Sequence, residues 1–453
     1  MPSDKAKFNK HHDSLLTALE TADPRVYELI EKECRRLRNT VQLVAAENYC
    51  SPAVLAALGS VLQNKTAEGF PGARMHGGCE VVDEAEKLAA ARAKETFGAQ
   101  YANVQPHSGT QANQIVLTAL LETGDRILSF DTAQGGHYSH GSHFSFTGRF
   151  FSVENYYVDK KTFLLDYDDI REKALKAKPK LIICGASAYA RTIDFKKFRE
   201  IADEVGAYLL ADISHISGLV IAGAHPSPVD YAHFTTTSTY KPGGPRGGLI
   251  LMGGDFSRKI KIRGKEKLLP KLIEDTTFPG MQGTPYFNHI AAKAVFFKET
   301  LSDEYRARQF KIIENAKTLA ADLLDSGYDV LTGGTDNHMI LLNVANSPAT
   351  SSRQGLTGAV AQKCLEDCGI VTDKISLPYD DKPPAVASGI RLGTPIVTKQ
   401  GMGQKEMKQL CALIDSVLKK VEIINDTEYR IDKSFKEQAK VQITDLCSRF
   451  PHH

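Results

Sequence analysis

The sequence predicts an α/β protein, with a large domain on a mostly parallel sheet followed by a smaller C-terminal α/β domain. Two observations carry that expectation. Apolar-periodic helical segments alternate with short, nearly continuous apolar runs, as in strands covered on both faces. Beyond about residue 300 the texture changes to long charged helices bracketing a few short strands.

Taken in order, residues 1–45 read as an N-terminal arm, 46–300 as the large domain and 301–453 as the small one. A helix is predicted from Asp83, as N-cap, through Glu86, Leu88, Ala89 and Phe97, with Gly98 as its stop. Gln105–Asn113 leads into an apolar helix over Gln114–Leu121. Strands are predicted at Arg126–Phe130, Leu181–Cys184, Tyr208–Ile213 and Gly248–Met252. In the C-terminal part, helices are expected over Glu304–Asp325 and Lys405–Val421, with a strand at Met339–Val344 between them.

Bulk properties exclude several function classes. The 56 basic and 54 acidic side chains nearly cancel, so no nucleic-acid or membrane surface is expected. No apolar run approaches the ~20 residues that span a bilayer, and Met1–His12 lacks the apolar stretch of a signal peptide. The eight cysteines are scattered, which reads as reduced thiols in a cytoplasmic setting. Cys364 and Cys368 lie four apart on a predicted helix with no second ligand pair nearby; they read as buried thiols, and no metal site is expected.

Three segments carry chemistry. Ser108-Gly109-Thr110 before a helix offers backbone N–H groups, two hydroxyls and the positive end of a helix dipole, which suits a phosphate; the same turn serves equally well as a plain helix cap. Thr235-Thr-Thr-Ser-Thr-Tyr-Lys241 delivers a lysine from a hydroxyl-rich strand end into a Gly/Pro loop, a setting for Schiff-base chemistry or simply for an exposed loop lysine. Asp212 ends an apolar strand, where α/β sheets bind ligands. It either pairs with a ligand nitrogen or caps the next turn, with His215 following.

Joined, these segments resemble the serine hydroxymethyltransferase family. The resemblance extends through Leu43-Val-Ala-Ala-Glu-Asn48, Ala67-Glu-Gly-Phe-Pro-Gly72, Gln105–Asn113 and Gly135-Gly-His-Tyr-Ser-His-Gly141. It continues in Gly185-Ala-Ser-Ala-Tyr189, Leu210–Gly218, Gly334-Thr-Asp-Asn-His338 and Ile390-Arg-Leu-Gly-Thr-Pro395, covering nearly the whole chain. It implies the fold-type I, aspartate-aminotransferase-like architecture, with pyridoxal 5′-phosphate (PLP) as cofactor and tetrahydrofolate as possible co-substrate. The implied reaction is hydroxymethyl transfer by retro-aldol cleavage between Cα and Cβ, taking serine to glycine. Counting back from Gly-Pro-Arg-Gly-Gly places Tyr240 at the family's lysine position, whereas counting forward from Ala232-His-Phe-Thr places Lys241 there. The 29-residue separation from Asp212 also matches Lys241, and a one-residue deletion after the lysine reconciles the counts. A non-catalytic PLP-binding protein is the alternative.

By resemblance, Ser108, Gly109 and Thr110 bind the phosphate, His137 stacks on the cofactor ring and Asp212 pairs with its nitrogen. Ser187 and His215 line the phenolic side, Arg391 clamps the substrate carboxylate, and Glu68 is the acid/base at the hydroxymethyl group. Gly283, in Gln282-Gly-Thr284, would reach a neighbouring subunit's phosphate, implying a homodimer or a tetramer of such dimers.

The sequence departs from the family around the substrate. Thr66, Met75 and His76 stand in place of tyrosines, Ala46 in place of a serine near the substrate carboxylate, and Tyr240 in place of the histidine before the lysine. Thr132 and Ile375 replace folate-facing leucine and asparagine. These changes raise the alternative of an α-methylserine hydroxymethyltransferase or a folate-independent β-hydroxy amino acid aldolase, because a smaller side chain at Thr66 leaves room for a group on Cα.

Overall fold

The computed structural model describes residues 15–262, 264–350 and 355–451. Its centre is a seven-stranded sheet: β1 Tyr101–Asn103, β2 Arg126–Phe130, β3 Ser152–Tyr156, β4 Leu181–Gly185, β5 Tyr208–Asp212, β6 Phe234–Ser238 and β7 Gly248–Met252. Their order across the sheet is β1-β7-β6-β5-β4-β2-β3. The run from β6 to β3 is parallel, and β7 is antiparallel to both β6 and β1. The expected parallel sheet therefore carries one reversed strand, the one that follows the tight loop after Lys241.

Strand periodicity divides the apolar side chains between two faces. Leu128, Ile182, Leu209 and Leu249 enter a core covered by helices Glu80–Phe97, Phe195–Val205 and Phe287–Thr300. Ile127, Leu181, Leu210 and Ile250 enter the opposite core, under helices Gly109–Leu120 and Leu269–Asp275. The hydroxyl-rich β6 is fully buried all the same. Thr236 Oγ1 donates to Asn113 Oδ1 at 2.6 Å and Thr237 Oγ1 to Ser238 O at 2.8 Å, so these two hydroxyls enter the core partnered, whereas those of Thr235 and Ser238 have no partner there.

A second core lies under a four-stranded antiparallel sheet: β8 Asp329–Val330, β9 Met339–Asn343, β10 Asp373–Ile375 and β11 Gly389–Gly393, ordered β8-β9-β11-β10. Helix Asp303–Asp325 joins the cores, with Tyr305 in the first and Leu319 and Leu323 in the second. The end of the N-terminal segment belongs with this second unit: Val41–Gln42 pairs in parallel with Ile370–Val371, and Val41 and Leu43 are buried there. Cys364, Cys368, Cys411 and Cys447 pack in the same core, and all eight cysteines are free thiols.

Several boundaries differ from the sequence reading. The helix expected from Asp83 starts three residues earlier, at Glu80 after Cys79. Asp83 is not its cap, because its carboxylate is occupied by Gly72 N and by Arg74 Nε, each at 2.8 Å. The helix after the phosphate-type turn begins at Gly109 rather than Gln114, with the Ser108 hydroxyl accepting from Gln111 N at 3.0 Å. Met339–Asn343, Asp303–Asp325 and Gln404–Lys420 occupy the predicted places in the C-terminal part within a residue at each end.

Candidate active site

The parallel strands all end on the same side of the sheet, and a cavity of about 190 Å3 opens there. The loops after β4, β5 and β6 supply Ser187, His215 and Lys241 to its wall. The N-terminus of helix Gly109–Leu120 supplies Ser108, Gly109 and Thr110, and the turn after β2 supplies His137 and His140. Asp212, the last residue of β5, lies in register with Gly185 on one side and Thr236 on the other.

Asp212 is buried and saturated with donors. Its Oδ1 accepts from Ser214 N at 3.0 Å and Ser214 Oγ at 2.6 Å. Its Oδ2 accepts from Asn113 Nδ2 at 2.8 Å and pairs with His140 Nε2 at 2.9 Å. Burial alone would raise its pKa, but the hydrogen bonds from His140 and Ser214 hold it far below the usual carboxylate range. Asp212 therefore stays an anion in a buried place, able to hold a proton on a ligand nitrogen.

Lys241 has the opposite treatment. Desolvation lowers its amine to about 8, against the pull of Asp212, with Arg391 and Arg246 reinforcing the shift. The lysine is thus prepared to act as a neutral nucleophile near pH 8. Tyr240 beside it lies under the Arg246 guanidinium, 3.9 Å from the ring centroid. His137 and His215 stay neutral. Burial, then the neighbouring His140, pushes His137 down to about 4, while burial and Lys241 push His215 well below its ordinary value. His215 stacks on His338, with centroids 5.9 Å apart, and His338 reaches Ala45 O at 3.2 Å.

Arg391, on β11, donates through Nη1 to Ser187 O at 2.7 Å and through Nη2 to Asp373 Oδ2 at 2.8 Å. Three of a guanidinium's five N–H donors remain, among them a buried Nε–H that meets no partner. The chain segment carrying Ala46 runs beside β11, where Gly393 N donates to Leu43 O at 2.8 Å.

A second group of expected residues lies outside this cavity within one chain. Thr66 and His76 are exposed on either side of the hairpin Gly69–Phe70/Ala73–Arg74. Glu68 is half-buried next to Gly283, where a Cβ would stand 3.0 Å from Glu68 Oε1. The hairpin is anchored through Arg74, which pairs with buried Glu86 at 2.5 Å, and Gln105 Nε2 donates to Glu86 at 2.8 Å.

The cavity fits PLP on its own geometry. A Cβ at Gly109 would stand 3.1 Å from Ser238 N and 3.2 Å from Ser214 Oγ, so the backbone closes up tightly where a phosphate would sit. The buried Ser238 hydroxyl beside it has no partner, and neither has His215 Nδ1 on the opposite wall. Among the described residues no group of three metal-ligating side chains occurs.

Sequence reasoning assigned no role to His140, Asn113, Ser214, Asp373 or His338. The only sequence signal for His140, Asn113, Ser214 and His338 was their place inside the quoted motifs.

The family model described as serine hydroxymethyltransferase matches residues 19–414. A serine hydroxymethyltransferase of Methanosarcina barkeri (strain Fusaro / DSM 804) is 46% identical over 437 residues, covering 96% of this chain and 99% of the relative. The chain belongs to the serine hydroxymethyltransferase family. Its mixed seven-stranded sheet and flanking helices are the family's fold-type I architecture. Serine hydroxymethyltransferases use PLP, and the Lys241 cavity is where this chain has the donors and the carboxylate to hold it.

Proposed function

We propose that this chain takes serine to glycine, breaking the Cα–Cβ bond and passing the hydroxymethyl carbon to tetrahydrofolate. One observation carries the reading: a lysine with a lowered pKa, a buried carboxylate anion and a helix N-terminus converge on one cavity in a chain of this family. The match over 96% of the chain favours the ordinary reaction over α-methylserine transfer, folate-independent aldol cleavage or cofactor binding alone.

PLP bound there supplies the electron sink for the pair released when the Cα–Cβ bond breaks. Ser108, Gly109 and Thr110 hold its phosphate with backbone N–H groups and hydroxyls, aided by the helix dipole. His137, neutral, would lie against the ring, and Ser187 and His215, which line the same cavity, would face its phenolic side. Asp212 keeps a proton on the ring nitrogen. Lys241, its amine lowered to about 8, is the nucleophile that would hold the cofactor's carbonyl carbon. Arg391 binds the substrate carboxylate with its remaining N–H donors.

Glu68 carries the proton at the substrate's hydroxymethyl group. Glu68 is half-buried beside Gly283, and the flanking segment carries the exposed Thr66 and His76 and the exposed apolar side chains of Val61, Met75 and Val81. This supports a homodimer, or a tetramer of dimers, in which these residues complete the partner's Lys241 cavity. A cytoplasmic setting accords with the eight free thiols. No helix among the described residues is long and apolar enough to cross a membrane.

The test is glycine release from serine by the PLP-loaded protein, with and without tetrahydrofolate. Strong stimulation by tetrahydrofolate is expected. Turnover of serine indifferent to the folate, or turnover confined to α-methylserine, would overturn the reading.

A further inference from the structure

Helix Phe287–Thr300 carries a lysine in the middle of the first core. Lys293 is 1% exposed and makes no salt bridge among the described residues. Its ammonium points at three backbone carbonyls: Val104 O at 2.6 Å, Gly248 O at 2.9 Å and Pro106 O at 3.1 Å. An ammonium has three N–H donors, so each finds one acceptor. Glu86, the nearest acid to act on it, is already taken by Arg74 and Gln105. Burial draws the amine down to about 7 against the pull of Glu86, and the three carbonyls hold its protonated form in the core.

The three carbonyls belong to two loops that meet at the cavity. Val104 and Pro106 lie immediately before Ser108-Gly109-Thr110, the turn read as the phosphate cradle. Gly248 opens β7, directly after the loop that carries Lys241 and Arg246. The loops also touch directly, with Gly248 N donating to Pro106 O at 2.8 Å. The backbone at Gly247 is shaped around the lysine, because a Cβ there would fall 2.3 Å from Lys293 Cε and 2.8 Å from Nζ.

We propose that Lys293 is a positioning residue for the phosphate cradle, fixing the peptide planes of Val104 and Pro106 against β7 so that the N–H groups of the Ser108–Thr110 turn face the phosphate. Lys293 does not line the cavity and acts through the two loops that it ties together. The inference rests on the reading that this turn holds the phosphate of PLP.

The experiment compares PLP with pyridoxal, which lacks the phosphate, as ligands of the full chain freed of cofactor. Dissociation constants are measured by the absorbance or fluorescence of the bound ligand for the natural protein, Lys293→Met and Gly247→Ala. The natural protein should prefer PLP strongly. Lys293→Met should narrow that preference by about tenfold or more, the scale of one charged hydrogen bond, while pyridoxal affinity stays within about threefold. Parallel loss of both affinities would make Lys293 a support of the fold alone, and an unchanged preference would remove it from the cradle; either overturns the inference. Should Lys293→Met fail to fold, Gly247→Ala reads the same ratio, since its methyl group displaces the ammonium while keeping the charge. A natural protein indifferent to the phosphate would instead sink the cradle reading.

Discussion

His140 and Asp212 are joined by a hydrogen bond of 2.9 Å, with the His140 side chain 1% and the Asp212 side chain 7% exposed. This bond and the three from Ser214 and Asn113 keep Asp212 ionised where burial would otherwise neutralise it. Replacing Asp212 with Asn keeps the shape and removes the charge, so kcat should fall by about a thousandfold or more. His140→Ala removes one charge-assisted bond and should lower kcat by about ten- to a hundredfold, as steady-state assays of glycine formation would measure.

The same anion predicts an acid dependence of stability. Asp212's folded-state pKa lies below the ordinary 3.8, so below that value the folded chain binds fewer protons than the unfolded one. The stabilisation it gives is complete above about pH 5 and is lost as pH falls further. Urea melts of the cofactor-free protein should show a steeper acid loss for the natural chain than for Asp212→Asn. Equal slopes would mean that Asp212 is not held as an anion.

Lys241 predicts the alkaline counterpart. Its amine titrates near 8 rather than at the ordinary 10.5, and only the neutral form attacks a carbonyl. The rate at which the cofactor-free protein takes up PLP should therefore rise as pH increases through about 8 and level off above it. Lys241→Ala should abolish borohydride-stable attachment and reduce turnover by at least about a thousandfold.

How much of this was legible in the sequence depended on whether the signal was local. Ser108-Gly109-Thr110 and Asp212 stood out because a helix start and a strand end are local features, and both line the cavity. The Asp212 network was not legible as a whole: Ser214 is a near neighbour in the chain, but Asn113 and His140 reach Asp212 only when the fold brings the helix after β1 and the turn after β2 to the end of β5. Edge strands β1 and β3 escaped for a different reason. They are half-exposed, so neither carries the continuous apolar run that marked β4 and β7. Asp83 misled as an N-cap because an acid in a first turn reads alike whether it caps the helix or pairs with a distant Arg74.

Arg391 predicts a separation of binding from turnover. Its planar fork is held by Ser187 O and Asp373, leaving a preset face for a carboxylate. Arg391→Lys keeps a charge but loses the fork, and should raise KM for serine by about ten- to a hundredfold with a smaller change in kcat. Asp373→Asn removes the partner that orients the fork and should raise KM less. Initial-rate measurements over a range of serine concentrations would show both, and a pure kcat effect would contradict the clamp.

Glu68 and Lys241 predict complementation. Within one chain Glu68 sits against Gly283 outside the cavity that Lys241 lines; in the proposed shared site the two residues would come from different copies. Glu68→Gln and Lys241→Ala homodimers should each be inactive. When the two variants are unfolded, mixed and refolded together, half of the dimers formed at random are mixed. Each mixed dimer carries one site with both residues natural, so activity should return to about a quarter of that of the natural protein. Recovery requires that the residues act across an interface. If the mixture stays as inactive as its parents while both variants still form dimers and bind PLP, Glu68 and Lys241 serve the same chain's site, and the shared-site reading fails.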